Sequence, residues 1–370
     1  MKIMFVSHSS VLEYHQQKLK IMSEKYGVEI HLITPFYWYE GGMRTELFTG
    51  NKKIKYHPGK VFMLKNRMFH FYYDVKKFFK EINPDIVHIE EIPFNIVCWQ
   101  FIRQAKKMQK KVLFFTWENI RRKLNPLYVY FYKYSIKNSD CAIAGNEEGK
   151  EILKELGFNK EIYVMPQYGI NMDDFNSKEN LLPENGKRYK LAFVGRVVPE
   201  KGVEILLKAI KDIKDVELII AGKGSEDYEK KLKKYIVENN LNDRVEFKGY
   251  ISWKEIPDFL NGVHIVVLPS ITTEIWKEQF GRILIEAFAA KVAVIGSSSG
   301  EIPNVINDAG LIFKEGDAED LKNKILMLMN DKKLFCENIE KGYKRVKENY
   351  TNEILAENIF NIYKKLLAEK

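Results

Sequence analysis

What most constrains this chain is an alternation that runs its whole length: short apolar, β-branched runs are separated by longer amphipathic stretches, the pattern of parallel sheets covered by helices. In the first half the expected strands are KIMFVS (2–7), VEIHLIT (28–34), DIVHIE (85–90), KVLFFT (111–116), CAIAGN (141–146) and IYVMP (162–166). In the second half they are KLAFVG (190–195), VELIIAG (216–222), RVEFKG (244–249), HIVVLPS (264–270), VAVIGS (292–297) and GLIF (310–313). At 370 residues the chain is too long for one typical core, so the reading is α/β with two doubly wound domains. The polar stretch NSKENLLPENGKRYK (176–190), with Pro and Gly and no apolar period, reads as the linker. The expected domains are 1–178 and 188–352, with a terminal helix of about 353–370 packing back on the first.

Composition narrows the class. The three cysteines, Cys98, Cys141 and Cys336, are scattered, so neither a disulfide framework nor a thiolate metal site is expected. The apolar run in MKIMFVSHSS is too short for a signal peptide, and the one near IPFNIVCWQFI is far short of a membrane span, so a cytoplasmic protein is expected. Charge is uneven: residues 1–175 hold 27 Lys and Arg against 19 Asp and Glu, and the remainder 32 against 31, from totals of 59 and 50. The basic half interleaves cations with aromatics, in KNRMFHFYYDVKKFFK (65–80) and RRKLNPLYVYFYKYSIK (121–137). Such segments suit an anionic membrane surface, which would place the protein on the inner face of a membrane, or an anionic acceptor. Amphipathic helices with solvated lysines opposite a buried aromatic face would look the same. No nucleic-acid-binding motif accompanies the charge.

In open α/β sheets, ligands bind beyond the carboxyl ends of the strands. After KLAFVG come Arg196 and, before a helical stretch, Lys201, two cations that can converge on one anionic group such as a diphosphate. After HIVVLPS, the segment EQFGRILIEAFAA holds Glu278 and Glu286 eight positions apart. With a helix starting near Phe280 and Gly281, Glu278 sits at its mouth and Glu286 about two turns in. Backbone N–H groups at that start suit phosphate oxygens, the first carboxylate suits sugar hydroxyls and the second ribose hydroxyls. The apolar neighbours of Glu286 argue for a buried, partnered carboxylate.

The chain resembles glycosyltransferase family 4, the retaining family of GT-B fold. The resemblance runs through KIMFVSH, VMPQYGINMDDF (164–175), LAFVGRVVPEKG (191–202), IIAGKG (219–224), VEFKGYIS (245–252), EQFGRILIEAFAA (278–290) and SSSGEIPNVI (297–306). It implies two Rossmann-like domains facing across a cleft. Arg196 and Lys201 would hold the donor diphosphate, Glu278 the transferred sugar and Glu286 the ribose. The donor side would also include Gly195, Gly222, Lys223, Gly224, Tyr250, Ile251, Phe280, Gly281 and Arg282. Two departures stand out. The stretch SHSSVLEYHQQ lacks the glycine pair of many members, and FFTWENI lacks their His after the fourth strand. Glu118 is the catalytic candidate there, with Asn119 beside it; the alternative is that Glu118 caps the next segment or pairs with Arg121 or Arg122. His8 after the first strand, and His88 with Glu90 and Glu91 in VHIEEIPF, are second-rank acceptor-side candidates.

Transfer of a hexose or N-acetylhexosamine from a nucleotide-diphosphate sugar to a saccharide or lipid-linked acceptor is therefore expected. Two cations at the leaving group make a metal unnecessary, so no cofactor is expected beyond the co-substrate. An epimerase-like GT-B enzyme or a catalytically silent partner is the alternative. A nicotinamide enzyme is disfavoured because GKGSED puts Asp227 at the third glycine position, and no Gly-Lys is followed by Ser or Thr as a P-loop needs.

Overall fold

The computed structural model describes residues 1–370 except 41–42, 65, 67–68, 176–181, 185 and 369–370. They form two compact units, Met1–Gly169 with Asn352–Lys370, and Ile170–Thr351. The division thus precedes the expected linker at 176–190; part of that stretch lies outside the described residues, and Tyr189 and Lys190 already belong to a strand.

The strands of the first unit are β1 (Lys2–Val6), β2 (Glu29–Pro35), β3 (Tyr37–Glu40), β4 (Met43–Glu46), β5 (Ile54–Gly59), β6 (Val61–Phe62), β7 (Phe71–Tyr72), β8 (Ile86–Ile89), β9 (Lys111–Thr116), β10 (Cys141–Ala144) and β11 (Ile162–Val164). Seven of them make a parallel sheet in the order β11, β10, β9, β8, β1, β2, β5, while β3 with β4 and β6 with β7 form antiparallel ribbons. Strands β8 and β10 are buried throughout, as in a parallel sheet covered on both faces. The covering helices include α1 (Glu13–Tyr26), α2 (Val75–Ile82), α3 (Ile96–Lys107), α4 (Pro126–Asn138) and α5 (Glu147–Glu155). Asn95, Asn125 and Asn146 cap the last three, each side chain accepting from a backbone N–H of the first turn.

The second unit has β12 (Tyr189–Val194), β13 (Val216–Ala221), β14 (Val245–Gly249), β15 (Ile265–Leu268), β16 (Ala293–Ser297) and β17 (Leu311–Phe313), all parallel, in the order β14, β13, β12, β15, β16, β17. Its helices are α6 (Val203–Ile210), α7 (Glu226–Glu238), α8 (Ile256–Leu260), α9 (Arg282–Ala289), α10 (Ile302–Ile306), α11 (Ala318–Asn330) and α12 (Lys332–Asn349). The last helix, α13 (Asn352–Ala368), belongs to the first unit, where Phe360 stacks on Tyr26 of α1 at 4.4 Å and Leu355, Ile359 and Tyr363 join Phe5 and Leu19 in one core.

Every expected strand is present to within two residues at each end. The sequence reading missed β5 and the two ribbons. Strand β5, IKYHPG, carries Lys55, His57 and Pro58 and lies at the sheet edge, where Pro costs no ladder bond and one-sided exposure erases the apolar run. In both sheets the strand order reverses once, between β1 and β8 and between β12 and β15, and the loops leaving those strands carry the site residues described next.

Candidate donor site and acceptor-side network

In the second unit the loop after β12 runs through a short 3-10 turn, Pro199–Lys201, into α6. Gly202 sits between turn and helix at φ 69°, and a Cβ there would lie 1.8 Å from the carbonyl oxygen of Pro269. Only glycine lets the Lys201 loop press against the end of β15. Lys201 Nζ then donates to Glu278 Oε2 at 2.6 Å, and Ser270 Oγ donates to the same oxygen at 2.8 Å. The ammonium also lies 5.1 Å from the Trp276 ring centroid. From the far side Gly300, at φ 53°, packs against the Glu278 backbone, a Cβ there falling 2.1 Å from its carbonyl oxygen. Glu278, 6% exposed, is therefore fixed by side chain and main chain together.

Helix α9 begins at Gly281, and its Glu286 is also 6% exposed. Arg282 Nε lies 2.8 Å from Glu286 Oε1, one turn away. Burial raises the pKa of Glu286, and the charge and hydrogen bond of Arg282 oppose that rise. Arg282, expected on the donor, thus spends its guanidinium on a neighbouring carboxylate. Arg196 and Lys201 do not share one partner: the Arg196 side chain is 61% exposed with Glu200 at 3.8 Å, whereas Lys201 is drawn to Glu278. Gly195, Gly222, Lys223 and Gly224 line two loops that run together past the ends of β12 and β13: Gly195 N donates to the carbonyl of Ala221, Val197 N to that of Lys223, and Val197 bridges Gly224. Gly222 N donates to Gly249 just before the exposed Tyr250 and half-buried Ile251, and Phe280 is buried beside Tyr350.

In the first unit, His8 follows β1 and Glu90 and Glu91 follow β8, again at the reversal of strand order. Glu90 is not open to an acceptor: it is buried in an ion pair with Lys18 of α1, and Gln167 Nε2 donates to its other oxygen at 3.0 Å. His88 is likewise withdrawn. It stands inside β8, fully buried, its Nδ1 2.7 Å from Tyr363 Oη on α13, and burial followed by the charge of Lys18 holds its pKa well below the usual imidazole range. Both side chains, expected on the acceptor side, are instead buried in the core, His88 because it stands in a fully covered strand and Glu90, just past β8, because Lys18 and Gln167 enclose it. His8 stays partly exposed, with Nδ1 2.7 Å from Glu91 Oε1. Glu118 takes the pairing alternative: Arg122 Nε donates to its Oε1 at 2.7 Å, and burial raises its pKa against the pull of that arginine. It lines a pocket of about 250 Å³ walled by Phe94, Leu124, Tyr132 and Ile136 and bordered by Arg121, Arg122 and Lys133, while Asn119 beside it is buried.

Lys18, Gln167 and His70 were not singled out by sequence reading, whereas Glu91, expected on the acceptor side, is buried with its carboxylate against His8. For Lys18 the signal existed: it shares the inward helical spacing of His15 and Met22, so a cation there must be buried and paired.

Two family models match, one on each unit: "Glycosyltransferase Family 4" over residues 22–171 and "Glycosyl transferases group 1" over residues 174–345. The chain is 35% identical over 207 residues to an uncharacterised glycosyltransferase of Methanocaldococcus jannaschii, a match spanning 55% of this chain and 54% of that one. It is 25% identical over 285 residues to the capsular polysaccharide biosynthesis glycosyltransferase CapM of Staphylococcus aureus, covering 70% of this chain and 72% of that one. Among solved structures, Anabaena HepE in complex with UDP superposes with a TM-score of 0.77 at 14% identity, over 99% of this chain and 100% of that one. With both family models matched in order and each unit a doubly wound parallel sheet, the chain belongs to glycosyltransferase family 4, of GT-B type.

Proposed function

We propose that the chain is a retaining glycosyltransferase that takes a hexose or N-acetylhexosamine from a nucleotide-diphosphate sugar without a metal at the donor. The observation that carries this reading is the grouping of Lys201, Ser270 and Glu278, with Arg282 and Glu286 on α9, beyond β12 and β15 where strand order reverses. A uridine donor is the first choice, supported by the superposition with HepE, which was solved with UDP and with UDP-glucose.

As the bond between the anomeric carbon and the phosphate oxygen breaks, negative charge grows on the departing diphosphate. Lys201 has three donors, one of which is on Glu278, and with the exposed Arg196 it supplies positive potential for that charge. The acceptor oxygen bonds to the anomeric carbon from the same face, and its proton passes to the departing phosphate oxygen, so no enzymic nucleophile is required. Glu278 orients sugar hydroxyls and Glu286 the ribose. On the acceptor side, the apolar pocket at Glu118, bordered by Arg121, Arg122 and Lys133, supports an acceptor presented on an anionic lipid. CapM is named for capsular polysaccharide biosynthesis, which fits an acceptor of that kind.

The test is calorimetric titration of the purified protein, in chelator, with UDP, GDP, ADP and NAD in turn. Saturable binding of one nucleoside diphosphate, lost in Glu286→Ala, is the expected result. Donor turnover should fall by at least about 100-fold in Lys201→Ala, as for a lost charge contact to a leaving group. Binding of no nucleotide, or near-wild-type turnover in both Lys201→Ala and Arg196→Ala, overturns the reading.

A further inference from the structure

One cluster in the first unit is unused by the donor chemistry. Glu91 leaves β8 between two imidazoles: Nδ1 of His8 lies 2.7 Å from Oε1, and Nε2 of His70 lies 3.7 Å from Oε2. These three side chains come from separate stretches, after β1, before β7 and after β8, yet one ligand atom from each lies within 4.8 Å of the others. A tetrahedral zinc-class ion with bonds of about 2.0–2.2 Å sets its ligand atoms about 3.3–3.6 Å apart, so the cluster needs to close by only about an ångström. The carboxylate is already aimed. The backbone N–H of His8 donates to Oε1 at 3.0 Å and Asn95 Nδ2 donates to Oε2 at 3.1 Å, while Asn95 itself is anchored as the cap of α3. Outer contacts of this kind fix ligand orientation in metal sites. Trp38 walls the cluster, its ring centroid 4.5 Å from that of His8 and 5.0 Å from that of His70.

The electrostatics favour a cation. Glu91 and His70 are buried, where an ionised carboxylate needs a counter-charge held at short range. A divalent ion supplies that charge and takes a lone pair from each ring at once. His8, 19% exposed, leaves a route in from solvent. Two imidazoles and one carboxylate suit zinc and its neighbours among the transition metals far better than calcium or magnesium, which prefer oxygen donors.

We propose that His8, His70 and Glu91 form a mononuclear divalent transition-metal site in the first unit, separate from the donor site and contrary to the expectation that the protein holds no metal. The test uses the full chain, stripped with chelator and titrated with Co²⁺ as an optical probe, then with Zn²⁺ in competition. One equivalent of Co²⁺ giving d–d absorption in the visible, displaced by Zn²⁺, is the expected result. His8→Gln and His70→Gln, checked for folding by circular dichroism, should each weaken the affinity at least about 10-fold, as loss of even a supporting contact does. Because His70 is buried, His8→Gln is the deciding variant if the other fails to fold. Absence of saturable Co²⁺ binding, or binding unchanged in His8→Gln, overturns the proposal and leaves a buried ion pair.

Discussion

At the scale of single residues, the donor side depends on two glycines that bear no chemistry. Gly202 and Gly300 hold the Lys201 loop and the Glu278 backbone where no Cβ fits. Gly300→Ala would force the Glu278 carbonyl, 2.1 Å from the new Cβ, to retreat, and the carboxylate with it. Since misplacing a positioning group by about an ångström can cost about 100-fold in rate, Gly300→Ala should lower kcat by 10- to 100-fold while nucleotide affinity, which the proposed function assigns largely to Glu286, changes less. Steady-state kinetics beside a nucleotide titration checks this. Equal loss in both would mean that the whole unit had shifted. The sequence already marked Lys201, Glu278 and Glu286, because they sit in short segments whose order is legible in one dimension. It could not show that Lys201 and Glu278 neutralise each other, since their pairing spans 77 positions, nor that His70 meets Glu91.

At the scale of elements, α13 packs through an apolar face that carries a buried polar contact. It returns to the first unit and sets Tyr363 against His88 in the middle of β8, at 2.7 Å. Tyr363→Phe would keep the ring packing and remove the hydroxyl, leaving a buried imidazole nitrogen without that partner, at a cost of about 1–3 kcal/mol. A lower urea midpoint for Tyr363→Phe is the expected reading. The same pair gives a pH signature. His88 stays neutral in the folded chain, its pKa pushed well below 6.5, whereas the unfolded chain takes up a proton near that value. Stability contributed this way is complete above about pH 6.5 and is lost as pH falls toward the folded-state pKa, by up to about 1.4 kcal/mol per pH unit. His31, His57 and His264, also depressed by burial, act in the same direction. His88→Gln should therefore unfold with a shallower acid dependence between pH 6.5 and 5 than the parent; identical slopes would show that His88 does not stay neutral. Strand runs were readable because parallel strands are apolar on both faces. Edge strand β5 was not, because solvent and Pro58 break its pattern.

At the scale of the whole molecule, the net charge of +9 resides almost entirely in residues 1–175, while the rest is near balance. The structure gives that charge a form. The stretch 121–137 folds largely into α4, which buries Tyr128, Phe131 and Tyr132 and leaves Leu127 and Tyr130 exposed near Arg121, Lys123 and Lys133. Elsewhere in the unit, Tyr73, Lys76, Lys77, Arg103 and Lys107 line a groove of about 470 Å³. No described helix is long and apolar enough to cross a membrane, and cations interleaved with exposed aromatics suit binding at an anionic surface. Each cation near an anionic surface contributes about 1 kcal/mol, falling off over a Debye length of about 10 Å at 0.1 M salt. The protein should therefore sediment with vesicles containing phosphatidylserine and be released as salt rises, and the triple variant Lys76→Glu, Lys77→Glu, Arg103→Glu should bind them at least about 10-fold more weakly. Scattered, solvated lysines predict a small loss spread evenly over any three reversals, so the same titration on three lysines of the second unit, Lys230, Lys234 and Lys254, decides between the two: a matching loss there removes the case for a dedicated membrane face.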